Sequence, residues 1–170
     1  MPTQKSELHI NETDGQYDFS RPVTKQEIVD IALHLQEKDT SFIDYLTSST
    51  DVKRYLRLHL QDEEAEVFTV LFLDDLHGLI RVDNMFNGTV DHVSVFPREI
   101  VKDCLRYNAH SVIVAKNHLN GVAEPRHDEL ALYHKIKEAM DLVSIPVIDF
   151  VIIGGNDTYS FAEQFAHLKT

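Results

Sequence analysis

At 170 residues, 43% of them hydrophobic and nine of them Phe, the chain is long enough to bury one substantial core, so a single main domain is expected. Its 28 acidic residues against 16 basic ones give a formal charge of −12, which repels phosphate backbones and argues against broad nucleic-acid binding. The single Cys104 excludes an intramolecular disulfide and a cysteine-based zinc site; with a polar N-terminus and no apolar run near the ~20 residues of a membrane span, a cytoplasmic protein is expected.

Residues 1–22 are polar and read as a flexible leader. A helical extension over 23–48 follows. In it Thr24 and Glu27 form a capping box, and Ile28, Ile31 and Leu35 mark the apolar face of a helix over 25–37. That face must dock on its own domain or on a second copy. Ser48 to Asp51 starts another helix, with Val52, Tyr55, Leu56 and Leu60 on one side.

The apolar run Val67 to Leu73 predicts a buried strand. Asp74 to Gly78 is a turn, and Leu79 to Asp83 returns as the second strand of a hairpin. Asn87-Gly88 reads as a turn or bulge leading into Val93-Ser94-Val95. Pro97 then opens a helix ending near Asn108, with Ile100, Val101, Cys104 and Leu105 as its apolar stripe. Strand 111–115 follows, ending abruptly in a loop that begins Lys116-Asn117-His118 and contains Gly121 and Pro125. A helix over 127–143 carries Glu129, Leu132, Ile136, Ala139 or Met140, and Val143 on its inward side. Pro146 breaks the chain before a strand over 147–153, closed by Gly154-Gly155. These last three elements make a βαβ unit, which is almost always right-handed. Tyr159-Ser160-Phe161 is a short final strand or turn before a C-terminal helical turn. The fold class expected is α/β, a mixed β-sheet flanked by helices.

The stretch from Ser111 to Glu129 concentrates the chemistry. A strand runs into a loop and then a helix N-terminus, the geometry in which open α/β sheets place their sites. The loop brings His118 and Glu129 to two sides of one cleft. No rival motif competes, since Gly154-Gly155 lacks a P-loop Lys-Ser/Thr and no Gly-x-Ser-x-Gly element occurs.

Lys116-Asn117-His118-Leu119-Asn120-Gly121, followed by Pro125-Arg126-His127-Asp128-Glu129, resembles the metal motif of the RadC-like family of JAB/MPN (JAMM) domain proteins. That motif reads His-Asn-His-Pro-Ser-Gly, then Pro-Ser-x-x-Asp. The likeness extends over roughly 50–165. It includes Glu66-Val67-Phe68, Phe86-Asn87-Gly88-Thr89-Val90-Asp91, Phe96-Pro97-Arg98-Glu99-Ile100, Asn108-Ala109, Ile148-Asp149-Phe150 and Tyr159-Ser160-Phe161-Ala162-Glu163. The resemblance implies a three-layer, cytidine-deaminase-like domain over 49–166 and, in the family, zinc-dependent hydrolysis of peptide or isopeptide bonds. The helix-hairpin-helix region that precedes this domain in longer relatives, the part most readily tied to DNA, has no counterpart in residues 1–48.

By the same resemblance Glu66 matches the carboxylate that takes the water's proton, and His118 and Glu129 match two metal ligands, with Asp128 as runner-up to Glu129. Arg126 stands in place of the supporting Ser, where it could hold an oxyanion as a charged donor or, as a helix-start arginine, stay solvated. Lys116 stands in place of the first His ligand. A protonated Lys cannot ligate zinc. Two expectations follow: its ammonium fills the metal position and pairs with Glu66 or Glu129, since a cleft of carboxylates is unstable without a cation, or it snorkels to solvent and pairs with nothing. His127 and His134 are candidate replacement ligands.

The leading expectation is a divergent member that has lost zinc, or binds it weakly, and is catalytically inactive. Its partner is then a protein, with a homodimer as one form. An active zinc hydrolase with altered ligands is the alternative, and a DNA-repair-associated role comes third because the net charge opposes it.

Overall fold

The computed structural model describes residues 10–13, 16–19, 21–38, 48–60, 62–88 and 94–167. The chain divides into two units, Met1–Lys38 and Asp39–Thr170.

In the first unit, β1 (Ile10–Thr13) pairs antiparallel with β2 (Gln16–Phe19), from Ile10 opposite Phe19 to Thr13 opposite Gln16. These strands replace part of the leader expected over 1–22; their polar sequence gives no apolar alternation to mark them. Helix α1 (Lys25–Lys38) starts at the expected capping box: the Glu27 amide donates to Thr24 Oγ1 (3.2 Å), and the Thr24 amide donates to a Glu27 carboxylate oxygen (2.9 Å). Ile28, assigned by spacing to the apolar face, is 51% exposed, and Val29 is buried instead. Of the extension over 23–48, residues 39–47 lie outside the described residues.

The second unit is built on a mixed sheet ordered β4-β3-β5-β6-β7. Its strands are β3 (Val67–Leu73), β4 (Leu79–Asn87), β5 (Ser111–His118), β6 (Val147–Gly154) and β7 (Asp157–Ser160). The β5–β6 pair is parallel, and the other neighbours are antiparallel. Strand β3 spans the apolar run of the sequence and is buried throughout, as a strand covered on both faces must be.

Two strands run further than the sequence pattern predicts. Strand β4 continues past Asp83 to Asn87, with irregularities opposite Phe68/Thr69 and Phe72/Leu73, and the polar Asn84 is accommodated because its side chain accepts from Thr69 Oγ1 (2.7 Å). Strand β5 continues past Ala115 through Lys116, Asn117 and His118, all three buried, so the expected loop starts three residues late. Residues 89–93, which hold part of the Phe86–Asp91 likeness and Val93, lie outside the described residues.

Strand alternation sorts the core into two faces. Phe68, Val70 and Phe72 of β3, Val112 and Val114 of β5, and Phe150 and Ile152 of β6 form one apolar cluster. Helix α3 (Pro97–Tyr107) adds Ile100 and Cys104, helix α4 (His127–Asp141) adds Tyr133, Ile136 and Met140, and helix α5 (Phe161–His167) adds Phe161. The opposite face, with Leu73 and Ile113, receives helix α2 (Ser49–Leu60) through Val52. The result is three layers.

Pro97 is the first residue of α3, and Asn108 ends it in a left-handed conformation (φ 53°). Leu105 does not join the stripe of α3: it is 62% exposed. Burial pushes the Cys104 thiol up to about 12.

Candidate functional site

The polar end of β5 determines the site. Lys116 and His118 sit two residues apart, so both side chains point to the face that carries α3 and α4. Lys116 pairs in register with Phe68, and Glu66 lies two residues before Phe68 on the same side. Glu66 therefore enters the site from the start of β3. Glu129 enters from the third position of α4, where its Oε2 accepts the Arg126 amide (2.8 Å) and anchors the helix start.

These groups form one connected network. Lys116 Nζ lies 2.8 Å from Glu66 Oε2 and 2.7 Å from Glu129 Oε1. Arg126 grips Glu66 with both arms of its fork: Nη1 donates to Oε2 (3.0 Å) and Nη2 to Oε1 (2.6 Å). His118 Nε2 lies 2.7 Å from Glu129 Oε1, and its Nδ1 lies 2.8 Å from the Val122 carbonyl. Two carboxylates thus face one ammonium and one guanidinium. Both His118 nitrogens lie within hydrogen-bond distance of an oxygen.

Burial alone would push both carboxyls up in pKa. Arg126 and Lys116 outweigh it at Glu66 and hold that group below its ordinary value. At Glu129, His118, Lys116 and the Arg126 amide do the same, down to about 2.

Two supporting residues do not stand out in the sequence. Asn117 points the other way from Lys116 and clamps the chain on both sides of Glu66: its Oδ1 accepts the Val67 amide (2.6 Å) and its Nδ2 donates to the Ala65 carbonyl (3.0 Å). Period-two alternation carried three residues past Ala115 would have shown this split. Gly154 is the second support. A Cβ there would lie 2.3 Å from both the Val122 carbonyl carbon and the Ala123 amide nitrogen. Only glycine lets the loop after β5 lie against β6 and bring the Val122 carbonyl to His118.

Of the remaining sequence candidates, Asp128 is exposed and takes no hydrogen-bonded part in the network, though it lines the same cleft of about 390 Å³ with Phe96, Lys116, Glu129 and Lys135. His127 and His134 are exposed on α4. Among the described residues no three His, Cys, Asp or Glu side chains gather as a metal-ligand set. Asp149, beside Phe150, instead anchors α5: it accepts from Ser160 Oγ (2.5 Å) and the Ala162 amide (2.9 Å).

A family model for the RadC-like JAB domain matches residues 46–166. The chain is 43% identical over 134 residues to a UPF0758 protein of Marinomonas sp. (strain MWYL1), covering 77% of this chain and 58% of that one. It is 45% identical over 121 residues to a UPF0758 protein of Tolumonas auensis, covering 71% and 54%. It is also 47% identical over 113 residues to one from Haemophilus influenzae (strain PittEE), covering 66% and 51%. The chain thus spans a little over half the length of these curated relatives. No helix among the described residues is long and apolar enough to cross a membrane. With its mixed five-stranded sheet, its flanking helices and a family match over most of its length, the chain belongs to the RadC-like JAB domain family.

Proposed function

We propose that this domain is a binding or interaction module without hydrolytic activity, in which the Lys116 ammonium takes the position of the family's zinc ion. The observation that carries the reading is the seat of Lys116 Nζ, within 2.8 Å of Glu66 and 2.7 Å of Glu129 and almost wholly buried.

The donor set does not suit a divalent cation. Zinc hydrolysis needs three protein ligands and an open position for water. Here one position offers an ammonium, which only donates. His118 Nε2 is engaged by Glu129, and Glu129 is engaged by Lys116, His118 and the Arg126 amide. Glu66, the family's proton acceptor, is held by Arg126 on both oxygens and by Lys116. A base locked in two ion pairs is poorly placed to take a proton from water.

The partner in this reading is a protein, with a second copy of the chain as one form, and the compartment is the cytoplasm, which suits the free buried Cys104. A nucleic-acid role in DNA repair fits the charge of −12 poorly.

Native mass spectrometry of untagged protein, wild type beside Lys116→His, tests the proposal. The expected result is no stoichiometric zinc in the wild type and a gain of one zinc in the variant. Stoichiometric zinc in the wild type would overturn it and favour an active peptide or isopeptide hydrolase with altered ligands.

A further inference from the structure

A second polar cleft, of about 350 Å³, lies between α2 and the start of β7, lined by Thr50, Lys53, Arg54, Arg57 and Thr158. It shares no residue with the Lys116 cleft. Three cations converge here on a chain that has only 16 basic residues to 28 acidic ones.

Their partners differ. Lys53 Nζ pairs with Glu163 Oε2 at 2.5 Å, which cancels that cation. Arg57 Nη1 donates to the Asn156 carbonyl (3.2 Å), which fixes the side chain without neutralising it. Arg54 is exposed and makes no hydrogen bond or ion pair with any described residue. The nearby acids do not compensate. Asp51 does not line the cleft and accepts from Ser48, and Asp157 precedes Thr158 on a strand, so its side chain points to the opposite face. Two positive charges are left at the cleft, with two threonines in its lining.

That balance matches one phosphate monoester, which carries about −1.5 to −2 charge and accepts hydrogen bonds through three oxygens. Guanidinium forks suit phosphate geometry, and the volume is that of a small-molecule pocket. The three basic residues lie within about one helical turn, too short a track to follow a nucleic-acid backbone, and the acidic chain repels a polyanion. We infer that this cleft binds a single phosphate group, either free or carried on a small molecule.

The test is isothermal titration of the whole chain with inorganic phosphate, with adenosine monophosphate, and with a DNA 12-mer bearing 5′-hydroxyl ends and therefore only diesters. One saturable site is expected for the first two, and the tighter of them identifies the source. The 12-mer is expected not to bind there. The double variant Arg54→Gln/Arg57→Gln should weaken binding at least tenfold with only a small drop in melting temperature, because both side chains are exposed and the fold loses one bond, that of Arg57 to the Asn156 carbonyl. Thr158→Val, which removes one hydroxyl, should weaken it about threefold. Absence of saturable binding, equal affinity in the double variant, or binding of the 12-mer as tight as that of the monophosphate would each overturn the inference.

Discussion

Replacing Lys116 with Met keeps most of the buried stem and removes only the charge. In the wild type the ammonium serves two carboxylates that are almost wholly withdrawn from water. Removing one partner of a buried ion pair costs about 3–5 kcal/mol. The loss is cushioned here, because Glu66 keeps Arg126 and Glu129 keeps His118 and the Arg126 amide. The electrostatics of Glu129 give a second figure. A Glu129 carboxyl held at about 2, against an ordinary 4.5, contributes about 3 kcal/mol at neutral pH, shared among His118, Lys116 and the amide. Both routes point to a deficit of about 2–3 kcal/mol for Lys116→Met at pH 7, or roughly 4–12 °C in Tm for a chain of this size.

The pH dependence gives the sharper check. Since the folded-state pKa of Glu129 is depressed, its stabilisation is complete above about 4.5 and is lost as the pH falls towards about 2. Without Lys116 the carboxyls protonate more readily, which relieves the unpaired charge. The gap between variant and wild type should therefore narrow from pH 7 to pH 3. Urea unfolding at both pH values measures it. A variant within about 0.5 kcal/mol of wild type at pH 7, the scale of an ordinary surface substitution, would refute the reasoning, as would a gap that does not narrow in acid.

Gly154→Ala should cost about 2 kcal/mol or more in thermal unfolding and should shift the NMR signals of His118, because the new Cβ collides with backbone at Val122 and Ala123 and pushes the loop off β6. Asp149→Ala should cost about 1–3 kcal/mol by leaving Ser160 and the Ala162 amide without their acceptor, and amide exchange should rise in α5 before it rises in β6.

Where burial is apolar, the sequence is readable. Strand β3 is one uninterrupted apolar run, and α2 buries the four residues its spacing names. The misplacements occur where a residue's environment depends on distant chain. Lys116, Asn117 and His118 look like the start of a loop because they are polar. They remain in the strand because Glu66, the backbone around it and Glu129 satisfy them. Local periodicity carries no trace of partners 50 residues away in the chain. Arg126 is a similar case: a helix-start arginine reads as solvated, yet this one holds the buried Glu66 from a position 31% exposed. The inward side of α4 runs Glu129, Tyr133, Ile136, Met140; spacing alone favours Leu132 over Tyr133, yet Leu132 is only partly buried. The site's residues and the pairing of Lys116 with a carboxylate are nameable from the sequence, but the Arg126 grip on Glu66, the His118–Glu129 contact and the Asn117 clamp are not.

Cys104, on the inner side of α3, gives the molecule a built-in chemical clock. Its thiol is fully enclosed and held far from the reactive thiolate form, so a maleimide can reach it only when the helix lifts from the sheet. The same helix begins with Pro97 and Arg98, which with Phe96, Lys135 and Ala139 line a separate hollow beside the Lys116 cleft. The rate at which this sulfur is capped under native conditions thus measures how often the helix opens from the sheet, with no residue changed.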